Sequence, residues 1–215
     1  MIPAAFDDLS LIQLIVERGV DALGALPAGI RKDQDAVAET IENNVRRLII
    51  DESPINPKYY ERMSELLDAL IAQRRQGALE YRKYLVQIIA LARQAKKGPG
   101  GEAYPRALDT AAKRALYDNL DKDEELALAV VSATTSSMQD GWRTNLIKRK
   151  RVRLAIVTAL QGRARETSGA VLTGKDTLAG SATDGSYPFT LPSDEVALDA
   201  LTDRLLELVV NQRES

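Results

Sequence analysis

Asn56-Pro57-Lys58-Tyr59-Tyr60-Glu61-Arg62-Met63-Ser64-Glu65-Leu66-Leu67-Asp68-Ala69-Leu70-Ile71-Ala72-Gln73-Arg74-Arg75 is the stretch that decides the fold. Asparagine followed by proline is a helix start. The asparagine side chain can cap free N–H groups, and proline tolerates the first helical position, where its missing N–H costs nothing. Behind that start, Tyr60, Met63, Leu67, Leu70 and Ile71 recur at helical spacing, and Gly77 can end or kink the helix. The same grammar reads outward in both directions. Upstream, Val37, Ile41, Val45, Leu48 and Ile49 predict a helix from about Asp35 to Ile50. It is broken by Ser53-Pro54-Ile55, because the residue before a proline avoids the helical region. Earlier still, Leu9, Ile12, Val16, Val20 and Leu23 form a stripe stopped by Gly24 and Leu26-Pro27-Ala28-Gly29, with Asp7 or Asp8 as its cap.

Downstream, Tyr81, Tyr84, Leu85, Ile88, Ile89 and Ala92 form a stripe halted by Gly98-Pro99-Gly100-Gly101. Shorter helices are predicted near Thr110–Leu120 and Glu124–Met138. Gly141 precedes the only tryptophan, Trp142, and a basic helix follows from about Leu146 to Leu160. Residues 162–192 are dominated by Gly, Ser, Thr and Ala without periodicity, a length unusual for a loop inside a compact domain. A last helix, capped by Ser193 with Asp194 and Glu195 in its first turn, carries Leu198, Leu201, Leu205 and Leu208. No strand-period segment and no internal repeat occurs. The expected fold is all-α, a multi-helix domain of about seven or eight helices with a long Gly/Ser/Thr-rich insertion before the last one. The expected organisation is a helical domain over 6–161, a mobile linker or insertion over 162–192, and a C-terminal helix over 193–213 packing back on the domain.

Composition narrows the chemistry. The 215 residues are 45% apolar and 28% charged, with no cysteine and no histidine. Disulfides and thiolate metal sites are excluded, and so are Ser-His and Cys-His nucleophile pairs. No apolar run reaches the length of a membrane span, and the N-terminus lacks a basic region before an apolar one, so a cytoplasmic location is expected.

Two stretches imitate nucleotide-binding motifs. Ile49-Ile50-Asp51-Glu52 resembles the end of a Walker B strand but continues a helical stripe. Gly169-Ala170-Val171-Leu172-Thr173-Gly174-Lys175-Asp176 nearly satisfies GxxxxGK[ST], yet Asp176 stands where a magnesium-binding hydroxyl belongs and would repel phosphate. Both are set aside. Asp7-Asp8 and Asp123-Glu124-Glu125 read as caps and dipole partners of helix starts, whereas Asp51-Glu52 at a helix end calls for a partner cation or solvent. Tyr59, Tyr60, Tyr81, Tyr84 and Tyr117 read as helix packing and not as a base-stacking platform.

Charge gives the candidate site. Residues 143–165 hold eight basic side chains and no acidic one, while the whole chain has a net charge of −2. Arg143, Lys148, Arg149, Lys150, Arg151 and Arg153 are therefore the candidate DNA- or partner-contacting residues. Val152, Ile156 and Leu160 face the core at i, i+4 and i+8, which leaves the basic residues mostly available. Such a cluster can track a phosphate backbone, pair with an acidic surface of this chain or of a partner, or simply be solvated.

The stretch from Glu39 to Glu61, which includes Ile49-Ile50-Asp51-Glu52-Ser53-Pro54-Ile55-Asn56-Pro57, resembles the C-terminal region of type I restriction endonuclease R subunits. Leu9–Gly19, Arg114-Ala115-Leu116-Tyr117-Asp118-Asn119-Leu120, Asp140-Gly141-Trp142-Arg143 and Leu206–Arg213 are similar to the same family in the same order. The likeness covers roughly 6–160 and 195–213, and the stretch 162–192 departs from it. The resemblance implies a helical domain that couples an ATP-dependent DNA translocase and nuclease to the methyltransferase core of M and S subunits. Its partners would be those subunits, the motor lobes of its own parent chain and duplex DNA, with no membrane. The parent subunit would use ATP and magnesium as a site-specific deoxyribonuclease. No position here matches its nuclease or ATPase motifs, so no catalytic, cofactor or metal residue is expected. The alternative is a nonspecific DNA-backbone-binding domain that uses the basic helix 143–165.

Overall fold

The computed structural model describes residues 13, 16–19, 21, 32–100, 104–172, 190–192 and 194–212, with side chains described up to 165 and again from 190. The protein is all-α. Seven α-helices and one 3-10 turn, Ser53–Ile55, have their bounds within the described residues; 13 and 16–18 are helical as well, and no strand occurs among the described residues. The helices are α1 Gln34–Glu52, α2 Pro57–Arg75, α3 Tyr81–Lys97, α4 Ala111–Asn119, α5 Glu124–Ser137, α6 Leu146–Leu172 and α7 Glu195–Asn211. Most of the expected first helix, with Asp7 and Asp8, lies outside the described residues, as does the stretch 173–189 of the expected insertion.

The helix boundaries have local causes. Asp33 caps α1 by accepting from the Asp35 and Ala36 amides, at 3.0 and 3.2 Å. α2 starts at Pro57, as its sequence demands. It ends where Gly77 takes φ +66°, with Gly77 N–H donating to Arg74 O and Ala78 N–H to Gln73 O. That pair of bonds satisfies the last carbonyls of the helix through a left-handed residue. Thr110 caps α4, and Asp123 caps α5 through the Leu126 amide at 2.9 Å. Two boundaries differ from expectation. The cap of α7 is Asp194, which accepts from the Val196 amide; Ser193, the expected cap, lies outside the described residues. The backbone of α6 stays helical through Leu172, well beyond the boundary expected at 162. Gln161, Ala164 and Arg165 are acceptable helix formers, so loss of the apolar stripe ends the packing signal before it ends the helix.

In place of one helical domain over 6–161, the chain forms two compact units: 1–53 with 58–100, and 54–57 with 101–215. The cause is a segregation of apolar faces into two buried clusters with no member in common. In the first unit Ile41 and Val45 of α1, Met63 and Leu67 of α2, and Tyr84 and Ile88 of α3 close one core. In the second, Leu116 of α4, Leu126 and Val130 of α5, Val152, Ile156 and Leu160 of α6, and Leu205 of α7 close another, with Trp142 at its edge. The Gly98–Gly101 run is thus a boundary between units as well as a helix stop.

Candidate interaction surface

The basic helix α6 starts from a tight lead-in. Gly141 takes φ +67°, and its carbonyl accepts from the Thr144 and Asn145 amides. Asn145 Oδ1 then accepts from the Ile147 and Lys148 amides, at 3.0 and 3.1 Å. From that start the helix turns Val152, Ile156 and Leu160 fully into the core of the second unit.

Most of the basic side chains do not remain available, which corrects the sequence expectation. Arg143 lies over the Trp142 ring, 5.1 Å from its centroid, and its Nε donates to Val210 O at 3.2 Å. A cation there meets the carbonyl end of α7, where the helix dipole favours it. Lys148 Nζ donates to Asp140 O at 2.6 Å. Arg149 pairs with Glu207, and Arg153 bridges Asp203 at 2.7 Å and Asp199 at 3.0 Å. Asp199, Asp203 and Glu207 stand four residues apart on α7, so antiparallel α6 and α7 carry a ladder of opposite charge. The hydrogen bonds that Arg153 donates to Asp203 and Asp199 raise its pKa above the ordinary value. Farther along, Arg163 meets Asp123 at 3.2 Å and Glu125 at 2.5 Å. Burial alone would lower the Arg163 pKa, and the two carboxylates more than offset it.

Lys150 and Arg151 are different. Both are exposed, and no ion pair holds either among the described residues. Around them stand large apolar side chains in solvent: Leu146, Ile147 and Leu154 are 77%, 70% and 65% exposed. Beside this face an open groove of about 690 Å³ runs between α5 and α6. Ala129, Ser132, Ala133 and Ser136 line it from α5, with Arg151, Leu154, Ala155 and Ala159 on the α6 side. The site therefore combines two unpaired cations, exposed leucines and a trough floored by small side chains. Sequence reasoning missed the exposed apolar residues, although Ile147 and Leu154, seven apart, lie off the Val152–Ile156–Leu160 stripe.

Parts of three stretches that carry the family resemblance, within 54–57, 114–120 and 206–213, meet in the second unit. Asn56, which is buried, donates from Nδ2 to Asp118 Oδ2 at 2.7 Å, and its Oδ1 accepts from Asn119 Nδ2 at 3.0 Å. Tyr104 OH donates to the same Asp118 oxygen at 2.7 Å, and Gln212 Nε2 donates to Ile55 O at 2.8 Å. This is a polar junction that fixes the chain path at 54–57, and its residues hold each other. The tyrosines pack in pairs, Tyr59 with Tyr60, Tyr81 with Tyr84 and Tyr104 with Tyr117. Asp51 and Glu52 end α1, with Lys96 Nζ 3.9 Å from Glu52. Of the GxxxxGK imitation, 169–172 is helical backbone and 173–176 lies outside the described residues.

Set against family models, curated proteins and solved structures, the chain has no match. No helix among the described residues is long and apolar enough to cross a membrane.

Proposed function

We propose that this chain is an interaction domain: the C-terminal helical region of a type I restriction endonuclease R subunit, joining the ATP-driven translocase and nuclease to the M and S methyltransferase core. The family comes from the resemblance. The observation that favours docking of a protein over tracking of DNA is the division of charge along 143–163. Arg143, Arg149, Arg153 and Arg163 are held by this chain's own acceptors, while Lys150 and Arg151 stand exposed among Leu146, Ile147 and Leu154. A phosphate-tracking surface gains from dense, free cations and salt-dependent attraction. A face of leucines with two cations gains from a partner with its own apolar side chains.

The test is assembly. Carried in the R subunit, the double change Lys150→Glu and Arg151→Glu is expected to abolish co-purification with M and S while motor-driven DNA binding persists. If assembly survives and nonspecific duplex binding weakens with a flatter salt slope, by nearly one unit per lost phosphate contact, the surface belongs to DNA instead.

A further inference from the structure

We infer that the groove between α5 and α6 receives one acidic amphipathic helix of a partner protein, lying along both helices. The inference rests on the reading of this chain as an interaction domain and names the partner's chemistry. Length comes first. The groove is lined from Glu125 to Ser136 on α5 and from Arg151 to Arg163 on α6. At 1.5 Å per residue each wall extends about 17 Å, roughly three helical turns. The floor comes next. Ala129, Ser132, Ala133 and Ser136 on one side and Ala155 and Ala159 on the other carry no bulk, so another backbone can approach closely. Bundles of helices pack in just such troughs, ridge into groove.

Charge then selects the occupant. The acid that lines the groove is already engaged, Glu125 by Arg163, and the α7 acids Asp199, Asp203 and Glu207 are taken up by Arg149 and Arg153. Arg151, which lines the groove, and Lys150, next to it on α6, have no such counter-charge among the described residues. On the α6 side Arg151, Leu154 and Thr158 line the groove at i, i+3 and i+7, and Ile147 and Lys150, four residues before Arg151 and Leu154, continue the same helix face beyond it, the spacing with which one helix meets another's side chains. An incoming helix with leucine-like anchors at i, i+3, i+4 and i+7 and carboxylates beside them satisfies both the apolar residues and the cations. A basic helix would meet like charge.

The experiment uses the full chain. A displayed library of helix-forming 16-residue peptides is panned on it, and the selected peptides are titrated against the chain and two variants, Leu154→Asp and Arg151→Glu. Both positions are exposed, so circular dichroism melting is expected to leave the variants folded like the parent. Selected peptides are expected to share apolar anchors at helical spacing with neighbouring acidic residues. Leu154→Asp is expected to weaken them at least tenfold, and Arg151→Glu to shift selection toward peptides with a basic residue at the facing position. Failure to select any peptide, selection of basic peptides by the parent chain, or affinities that ignore both variants overturns the inference. So does competition of the peptides by a short DNA duplex, which gives the face to nucleic acid. A dimer in sedimentation velocity that dissociates on Leu154→Asp also overturns it, because the occupant is then a second copy. No methyltransferase subunit enters this experiment. It can fail while the assembly test succeeds, or succeed while that test fails, so the two readings fall separately.

Discussion

Two charged clusters, one in each unit, fasten helices in opposite surroundings. In the first unit Glu42 of α1 is buried against Arg74 of α2 and Tyr84 of α3. Arg74 Nε donates to Glu42 Oε1 at 2.9 Å, and Tyr84 OH donates to the same oxygen at 2.7 Å. The Arg74 and Glu42 side chains are only 11% and 6% exposed. The guanidinium also reaches Asp35 at 2.6 Å and lies 5.6 Å from the centre of the Tyr84 ring. In the second unit the Arg149–Glu207 and Arg153–Asp203–Asp199 contacts sit at the surface, with acids about three-fifths exposed. Identical pairings on a contact map are different interactions. A buried carboxylate stripped of its partners stays out of water and unsatisfied, whereas a surface carboxylate simply resolvates.

That contrast orders the expected effects, and the largest belongs to the buried cluster. Arg74→Ala leaves Glu42 buried with only Tyr84, and is expected to destabilise by about 3–5 kcal/mol, the usual loss when one member of a buried pair is removed. Urea unfolding followed by circular dichroism measures it. A loss near that of a surface pair would mean that Glu42 reaches water in the folded protein, and the comparison would collapse. Next stands Leu67→Ala, whose side chain is fully buried in the first core. It is expected to destabilise by about 2–5 kcal/mol. A shift below about half a kcal/mol, the level of ordinary surface substitutions, would break the assignment of that face to the core.

A pH profile sharpens the same comparison. Burial, followed by the hydrogen bond to Glu42 and its charge, pushes the Tyr84 hydroxyl well above the ordinary tyrosine range. Tyr81 moves the same way, chiefly through burial. A folded-state pKa raised above the unfolded value means that the folded chain holds its proton longer. The stabilisation is complete below the unfolded tyrosine pKa of about 10 and is lost as pH climbs beyond it. Unfolding free energy is therefore expected to fall with rising pH above about 10, and Tyr84→Phe to flatten that fall. A variant whose alkaline slope equals the parent's would place the titration elsewhere.

How much of this could be read in advance depends on distance along the chain. The starts of α2, α4 and α5 and the stops of α2 and α3 were legible because proline, glycine and capping side chains act on the backbone beside them. Pro57, Gly77, Gly98, Thr110 and Asp123 stand where the sequence requires them. The inward stripe of α6 was legible from its spacing alone. The fate of its arginines was not, because Arg149 and Arg153 find Glu207, Asp203 and Asp199 only once α7 lies antiparallel beside α6. The acids' four-residue spacing on α7 was the available signal. The division into two cores was hidden for the same reason: an apolar stripe states that it will be buried, but not against which other stripe. Asn56 looked like a helix cap, and its bonds to Asp118 and Asn119 arise from residues some sixty positions away.

The smallest expected effect is on the surface ladder, and it bears most directly on function. Arg153 is about one-third exposed, and its two aspartates nearly twice that. Exposed ion pairs are typically worth about 0.2–1 kcal/mol, and salt screens them. Arg153→Ala is therefore expected to destabilise by no more than about 1 kcal/mol, with the difference from the parent shrinking as salt is raised. The same change leaves Asp199 and Asp203 without their cation and makes the α7 surface more acidic. If α6 and α7 held together mainly by charge, the loss would exceed several kcal/mol, and high salt would melt the second unit. The burial of Val152, Ile156 and Leu160 of α6 in one apolar core with Leu205 of α7 argues against that. On this account the ladder sets which residues of α6 turn inward toward α7, and so leaves Lys150, Arg151 and Leu154 on the open side. Arg153→Ala is then expected to keep peptide binding at the groove within about twofold, a change of about 0.4 kcal/mol. A larger loss would show that the pairing on one side of α6 governs the face on the other.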